Sequence, residues 1–267
     1  MLCSVTVSAA GSSFVTKSTS SNVANQSASK ESNRIHFLNA VFGYENTIVV
    51  DAFDFIVARS EVIAFVGASG CGKTTMLKAI SGAIPLLSGT ILLDGQPRDR
   101  QWLSRNLSRT LQNSPLFHWL TVQENLELAC KIRGMREIDA RAVLAEFAAD
   151  HVCDRYPQSL SGGERCRASI AQAAITNPKV ILLDEPFSGL DVHIKAEVAN
   201  YLFSFAQSHG TSMIFVTHDL HDACEYSQRV VLLKQGPPTT VSEILNSKHR
   251  NTLERIRGEL LRYGRDS

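Results

Sequence analysis

Residues 67–74 have the sequence Gly-Ala-Ser-Gly-Cys-Gly-Lys-Thr, which fits the pattern G-x-x-x-x-G-K-[ST] at every fixed position. A nearly all-apolar run, residues 61–66, precedes this stretch, and residues 74–80 that follow are suited to a helix. A strand, a glycine-rich loop and a helix in this order bind phosphate groups, because backbone N–H groups and the helix N-terminus point at the anion. The stretch therefore predicts a phosphate-binding loop within an α/β domain.

Strand-like and helical segments alternate along the chain around this loop. We predict strands at residues 35–41, 53–57, 61–66, 89–93, 180–183, 212–216 and 230–233, the last of these being the final strand. We predict helices at residues 74–80, 121–149, 164–175 and 194–208. Such alternation is typical of an α/β domain with a mostly parallel central sheet.

The composition of the 267 residues excludes several classes of protein. The formal net charge of +1 lacks the positive field of a dedicated nucleic-acid binder, so no nucleic-acid partner is expected. No apolar run approaches the ~20 residues that span a bilayer. The six cysteines show no C-x-x-C pair, which favours reduced thiols over disulfides or a zinc site.

The first 34 residues differ from the rest of the chain. They are rich in Ser and Thr and offer little apolar surface to bury, which predicts a disordered segment. A Ser-rich segment with a single acidic residue, Glu31, also fits an organellar transit peptide, although arginine is scarce. Both interpretations remain open at this point.

Two acidic residues end a second apolar run, Val-Ile-Leu-Leu-Asp-Glu at 180–185. Ligands bind beyond the carboxyl ends of parallel strands, so both carboxylates are expected near the phosphates. Lys73 is predicted to reach the β- and γ-phosphates, and the Thr74 hydroxyl to ligate Mg²⁺. Asp184 is predicted to hold Mg²⁺ through its water shell, and Glu185 to orient or deprotonate the attacking water.

Residues 156–165, Tyr-Pro-Gln-Ser-Leu-Ser-Gly-Gly-Glu-Arg, resemble the signature motif of the ATP-binding cassette family, the motor subunits of ABC transporters. Other motifs of that family follow the expected order: Tyr44 resembles its adenine-stacking aromatic residue, Gln112 its Q-loop glutamine, residues 188–191 its D-loop and His218 its switch histidine. The resemblance covers about residues 35–240.

The resemblance implies a fold and a division into parts. It implies a P-loop NTPase core with a mostly parallel central sheet, an antiparallel β subdomain and a helical signature subdomain at about residues 113–172. Residues 241–267 are predicted to form a helical tail, with an apolar stripe that docks on the core or lies on a membrane surface.

The resemblance also implies a site for ATP and Mg²⁺ shared by two ATP-binding subunits packed head to tail. ATP contacts are assigned to Tyr44, Gly67, Ala68, Ser69, Gly70, Cys71, Gly72, Lys73, Thr74 and Thr75, and, across the subunit interface, to Ser161, Gly162 and Gly163. Mg²⁺ is assigned to Thr74, Gln112 and Asp184, and catalysis to Glu185, His218 and Gln112.

Some positions depart from the family pattern without removing a catalytic group. Glu164 stands where Gln is commonest, Gln172 where Arg is usual and Asp222 where Glu is usual, and Cys166 also departs from the pattern. Active hydrolysis is therefore expected. A regulatory subunit that only binds ATP, or a cassette ATPase without a transport role, is the alternative.

A chain with one phosphate loop and one signature implies partners: a second ATP-binding subunit, identical or paralogous, separate transmembrane permease subunits and a solute-binding protein. The expected location is the cytoplasmic face of the inner (plasma) membrane, with an organellar location as the alternative. Residues 67–75, 116–122 and 232–237 resemble the nitrate, sulfonate and taurine importer group, whereas residues 187–189 depart from it. The aromatic cluster Phe117, His118 and Trp119 either contacts a membrane subunit or packs into the helical subdomain.

Overall fold

The computed structural model describes residues 33–45, 47–110, 116–135, 138–234, 236 and 238–246. The strands are β1 Asn33–Tyr44, β2 Thr47–Ala58, β3 Val62–Val66, β4 Ser88–Leu93, β5 Gln96–Pro97, β6 Leu107–Arg109, β7 Val180–Asp184, β8 Ser212–Thr217, β9 Arg229–Lys234 and β10 Thr240–Asn246. The helices are α1 Lys73–Ile80, α2 Arg100–Asn106, α3 Val122–Ile132, α4 Ala140–Glu146, α5 Gly162–Ala174, α6 Val192–His209 and α7 Leu220–Glu225. Short 3-10 turns lie at Asp150–Val152 and Pro157–Ser159.

The central sheet has six strands in the order β10-β9-β3-β8-β7-β6. Neighbours from β9 to β6 pair in parallel, and only β10 is antiparallel to its neighbour β9. β3 is buried on both faces: Val62, Ala64 and Val66 belong to one hydrophobic core, and Ile63 and Phe65 to the other. Burial on both faces is why this strand is almost entirely apolar, and the predicted mostly parallel α/β architecture is confirmed.

A second, antiparallel sheet has the order β2-β1-β4-β5. Aromatic side chains join it to the central sheet, since the ring of Phe53 on β2 lies 5.0 Å from that of Phe37 on β1 and 5.8 Å from that of Phe65 on β3. Both pairs are edge-to-face, the geometry that ring quadrupoles favour. The antiparallel β subdomain is therefore confirmed, and it holds the N-terminal strands against the strand that leads into the phosphate loop.

The helices α3, α4 and α5 pack on one another beside the sheets. The prediction of a continuous helix over residues 121–149 is wrong, because α3 ends at Ile132 and Gly134 adopts a φ of +63°. A new helix then begins after Asp139, whose side chain accepts a hydrogen bond from the backbone N–H of Ala142. The glycine and the capping aspartate together break the apolar pattern into two helices.

Both ends of the predicted domain need correction. Asn33 and Arg34 belong to β1, and Arg34 is buried with its guanidinium 2.7 Å from Asp94, so they are not part of a disordered segment. Residues 230–233 do not form the last strand, because β10 follows and pairs with β9, so residues 241–246 are not helical. Residues 1–32 and 247–267, with the rest of the disordered-segment and helical-tail predictions, lie outside the described residues. None of the helices in the described ranges is both long and apolar enough to cross a bilayer.

Candidate functional site

The predicted phosphate loop, residues 67–72, joins β3 to α1. Lys73 is the first residue of α1 and is itself buried. Its Nζ donates hydrogen bonds to the carbonyl oxygens of Gly67 and Ala68 at 2.7 and 3.0 Å. The ammonium charge is thus held within the loop, next to the N-terminal N–H groups of α1, and both attract anions.

Two glycines of the loop cannot be replaced without moving neighbours. A Cβ on Gly72 would lie 2.5 Å from Cγ1 of Val49, and the φ of +93° at this position disfavours other residues. A Cβ on Gly67 would lie 2.8 Å from the carbonyl oxygen of Leu233. Ala68, Ser69, Gly70 and Thr74 are exposed along the loop, whereas Cys71 and Thr75 are buried beneath it. The loop backbone is therefore accessible and carries small side chains, so its N–H groups can approach a phosphate closely.

Asp184 ends β7 and lies next to the loop. Its side chain is buried, and the Thr74 side chain lies close enough to it to lower its pKa. Burial raises the pKa of the Asp184 carboxyl, and the positive charge of Arg109, whose Nη2 lies 3.7 Å from Oδ2, opposes that rise. The structure thus brings Lys73, Thr74 and Asp184 together, as the sequence predicts.

The donor set fits Mg²⁺ as it is bound by nucleotide-dependent enzymes. That ion prefers oxygen ligands and is usually held by one or two carboxylates, water and substrate phosphates rather than by a cage of protein groups. The Thr74 hydroxyl and the Asp184 carboxylate provide such oxygens side by side. Within the described ranges no group of three or more His, Cys, Asp or Glu side chains forms a metal cage. The site therefore fits a metal that arrives with phosphate.

Glu185 follows Asp184 and faces His218. Because β7 and β8 pair in parallel, with Asp184 beside Val216, the residues that follow the two strands lie next to each other. The Glu185 N–H donates to the carbonyl oxygen of Val216 at 3.0 Å, and Oε1 lies 2.9 Å from Nδ1 of His218. Glu185 has a φ of +51°, an unfavourable value for a non-glycine residue that is typical of functional sites.

Tyr44 lies at the end of β1, beside α1. Tyr44 is 43% exposed, and its hydroxyl oxygen is 3.5 Å from Oγ1 of Thr75. The hydrogen bond from Thr75 is the main reason why the pKa of Tyr44 is lowered. An exposed aromatic face at this position is available for stacking on a planar ring.

The signature segment begins helix α5. Ser161 is the exposed N-cap residue, and its Oγ accepts a hydrogen bond from the backbone N–H of Glu164 at 3.3 Å. The Glu164 carboxylate accepts in return from the backbone N–H of Ser161 at 2.8 Å. Gly162 is exposed, and Gly163 is buried where a Cβ would lie 2.8 Å from Ile194 of α6. This capping box fixes the start of α5 and leaves Ser161 at the surface.

Three groups hold the Glu164 carboxylate. Besides the Ser161 N–H, Nη1 of Arg155 lies 3.1 Å and Nε2 of His151 lies 3.2 Å from Oε1 of Glu164. The hydrogen bonds from Ser161, with smaller contributions from His151 and Arg155, lower the pKa of Glu164 to about 2. The substitution of Glu for the usual Gln therefore adds a charged anchor behind the signature serine.

The low pKa of Glu164 predicts a pH-dependent stability. A carboxyl whose folded pKa lies below its ordinary value stabilises the fold above that value, and this stabilisation is lost as the pH falls from about 4.5 toward 2. The variant Glu164→Gln should therefore lose less of its free energy of unfolding than wild type between pH 6 and pH 3, as measured by urea titration. Glu124→Gln, in the capping box of α3, controls for a change at a capping box. Equal pH slopes for Glu164→Gln and wild type would contradict the prediction.

One predicted site residue is not described by the structure, and the structure adds two charged residues that the sequence did not single out. Gln112, predicted for catalysis and Mg²⁺, lies outside the described residues. Arg109, beside Asp184, and Arg155, beside Glu164, were not predicted as site residues. The only sequence signal for Arg109 was its own charge, three positions before Gln112. The charge of a residue does not reveal which distant residue it contacts in the fold.

Comparisons with known proteins place this geometry in context. Residues 50–188 match the model of the family described as "ABC transporter". An uncharacterized ABC transporter ATP-binding protein of Bacillus subtilis is 35% identical over 199 residues, 73% of this chain and 76% of that protein. An aliphatic sulfonates import ATP-binding protein of Agrobacterium fabrum is 33% identical, with 73% of each chain covered. A sulfate/thiosulfate import ATP-binding protein of Shewanella oneidensis is 34% identical over 76% of this chain, which spans only 59% of that relative.

Solved structures agree with the fold. Part of an ABC transporter complex from Clostridium perfringens superposes with a TM-score of 0.74 at 25% identity, covering 88% of this chain and 98% of that one. The ATP-binding cassette MJ0796, in a dimeric post-hydrolysis state with ADP and Pi, gives a TM-score of 0.69 at 25% identity, covering 80% of this chain and 99% of that one. The site described above thus lies on a fold that is known to hold the products of ATP hydrolysis.

Proposed function

Because the chain belongs to the ABC transporter family, as an ATP-binding subunit with ATPase activity, we propose that it powers the import of a small solute through separate membrane subunits. The observation that carries the proposal is the convergence of Lys73, Thr74 and Asp184 with the Glu185–His218 pair at one edge of the central sheet. These are the groups that phosphoryl transfer to water needs: cations and N–H donors for phosphate, oxygens for Mg²⁺ and a carboxylate for the attacking water.

Each group has a proposed role. Lys73 and the loop backbone bind the β- and γ-phosphates, Tyr44 stacks on adenine, and Thr74 and Asp184 hold Mg²⁺, which supplies charge neutralisation at the phosphates when bound. Glu185 orients the attacking water and accepts its proton, while His218, 2.9 Å away, fixes the Glu185 carboxylate. Gln112 is proposed to contact Mg²⁺ and the attacking water.

We further propose that two such subunits enclose ATP head to tail. Ser161 and Gly162 are exposed at the N-terminus of α5, with Gly163 buried behind them, and the N–H groups at a helix N-terminus attract anions. Facing a partner's γ-phosphate, these donors make subunit closure depend on ATP, because they strengthen only the closed state. The dimeric cassette with ADP and Pi supports this arrangement.

The surface around Trp119 is proposed to bind a membrane subunit. Trp119 is 61% exposed, and its ring lies 5.0 Å from that of Phe117, so this exposure supports docking over packing into the helical subdomain. Beside it, a cavity of about 500 Å³ runs along α3, lined by Leu120, Glu124, Glu127, Leu128, Cys130, Lys131, Met135 and Ile138. An apolar cleft with a charged rim suits a short helix of a partner protein.

A photo-crosslinking residue at position 119 tests this docking. In membranes that contain candidate transmembrane subunits, the probe should crosslink to a membrane subunit, because Trp119 is exposed and adjoins Leu120, which lines the cleft. The same probe at Ile56, an exposed position on the antiparallel sheet, should give no such product. Crosslinks from position 119 that form only within the chain would refute the proposed surface.

The proposed solute class is nitrate-, sulfonate- or taurine-like. Support comes from the local sequence resemblances and from the relative named for aliphatic sulfonates, while other relatives are named for sulfate/thiosulfate or spermidine/putrescine. A solute-binding protein and a peripheral position on the cytoplasmic face of the inner membrane complete the proposal. Uptake of labelled taurine and nitrate in cells with and without this chain distinguishes the solutes.

A further inference from the structure

Arg109 is an unpredicted cation inside the nucleotide site. It ends β6, the edge strand, which pairs in parallel with β7 so that Arg109 lies beside Leu182. The Thr110 N–H donates to the carbonyl oxygen of Leu182 at 2.9 Å and keeps the two strands together past this point. From there the side chain of Arg109, only 14% exposed, reaches Asp184.

The contact between Arg109 and Asp184 is ionic but not a close hydrogen bond. Nη2 lies 3.7 Å from Oδ2, longer than the 2.7–3.2 Å of a well-formed N–H···O bond. In addition, Nε of Arg109 is buried and has no hydrogen-bond acceptor among the described residues. A buried donor without an acceptor costs free energy, so this arginine is incompletely paired as it stands.

We propose that Arg109 is a positioning residue that pairs with Asp184 and competes electrostatically with the divalent metal. Arg109 thereby sets the concentration of Mg²⁺ that is needed for nucleotide to bind. The inference rests on the proposed role of Asp184 at the metal. A guanidinium beside this carboxylate neutralises it in the absence of metal, which stabilises a buried charge that would otherwise be costly. The same positive charge repels a divalent cation bound at Asp184.

Loss of the Arg109 charge should change the metal affinity in the opposite direction from loss of a purely structural residue. Removing a cation beside the carboxylate that would hold a divalent ion should tighten metal binding by roughly three- to tenfold, even with nearly full solvent screening. If Arg109 merely held β6 against β7, its loss would loosen the site and weaken metal binding.

Mn²⁺ in the presence of a non-hydrolysable ATP analogue provides the measurement, because the electron paramagnetic resonance signal of free Mn²⁺ reports binding without turnover. Arg109→Met and Arg109→Gln should each bind Mn²⁺ roughly three- to tenfold more tightly than wild type. Arg109→Lys, which keeps the charge, should restore an affinity near wild type.

Arg133→Met is the matched control. This substitution also removes a positive charge next to β6. The Arg133 guanidinium, however, donates to Oγ of Ser108, Oγ1 of Thr176 and the carbonyl oxygen of Leu107 rather than to Asp184. Its Mn²⁺ affinity should remain near wild type.

Asp184→Asn separates the two levels of inference. If Asp184→Asn does not weaken Mn²⁺ binding, the proposed metal role of Asp184 fails. If Asp184→Asn weakens Mn²⁺ binding but neutral Arg109 variants bind Mn²⁺ equally or less tightly than wild type, the role of Arg109 is overturned. Two neutral variants of different shape keep the test decisive should one of them fold poorly.

Discussion

Glu185→Gln should lower the steady-state ATPase rate by about 10²- to 10⁴-fold, the range expected for loss of a general base. The substitution keeps the size of the side chain and removes its charge, so the attacking water loses its proton acceptor. Lys73 and Asp184 are unchanged, and nucleotide affinity should therefore stay near that of wild type. The substitution should slow the chemical step only. Phosphate release measures the ATPase rate, and a parallel nucleotide titration measures the affinity.

The structure explains why this carboxylate is suited to the task. The Glu185 backbone is tied to the carbonyl oxygen of Val216, and its side chain is only 11% exposed and lies 2.9 Å from His218. The φ of +51° is retained at a cost, which is expected where a side chain must point in a particular direction. Preorganisation of this kind supplies rate because the acceptor need not be assembled during the reaction.

The same variant should accumulate as an ATP-bound dimer, since proposed closure needs ATP and opening needs its hydrolysis. Size-exclusion chromatography with and without Mg·ATP measures this population. Glu225→Gln, which alters an exposed carboxylate on α7, should change neither the rate nor the dimer. Near-normal turnover of Glu185→Gln would remove Glu185 from the catalytic role.

Lys73→Ala should weaken ATP binding by about 10²- to 10³-fold, or ~3–4 kcal/mol, because it removes a positive charge next to the phosphates and the charge-assisted hydrogen bond that this charge donates to them. Nζ of Lys73 contacts the carbonyl oxygens of Gly67 and Ala68, so the ammonium group is already oriented within the loop. Little ordering is then needed when phosphate binds, which is why the truncation should be so costly.

Titration with a fluorescent ATP analogue measures this loss. Lys179→Ala removes an equal charge from the surface, where Lys179 pairs with Asp94, and should leave affinity unchanged. A thermal melt of Lys73→Ala checks that the loop remains folded. Unchanged affinity in a folded Lys73→Ala protein would contradict the assignment of this loop to phosphate.

Local signals account for what could be predicted. The loop, its flanking strand and helix, and the acid-tipped strand β7 all depend on residues within a few positions of each other, so their patterns survive in the sequence. The Asp94-Gly95 turn after β4 also follows from its two residues, with φ values of +48° and +78°. Failures came where an apolar pattern continued past a break in the helix, as at Gly134, or where a further strand followed the last predicted one, as β10 follows β9.

The sequence by itself determined that the chain has a phosphate loop, a signature segment and an α/β core, because glycines, caps and apolar periodicity act locally. Only the tertiary structure decided that Arg109 meets Asp184, 75 positions away along the chain, and that Trp119 stays exposed. The physical reason is strand pairing: the side-by-side alignment of β6 with β7 sets which distant charges come within reach of each other. No local preference of either residue encodes that alignment.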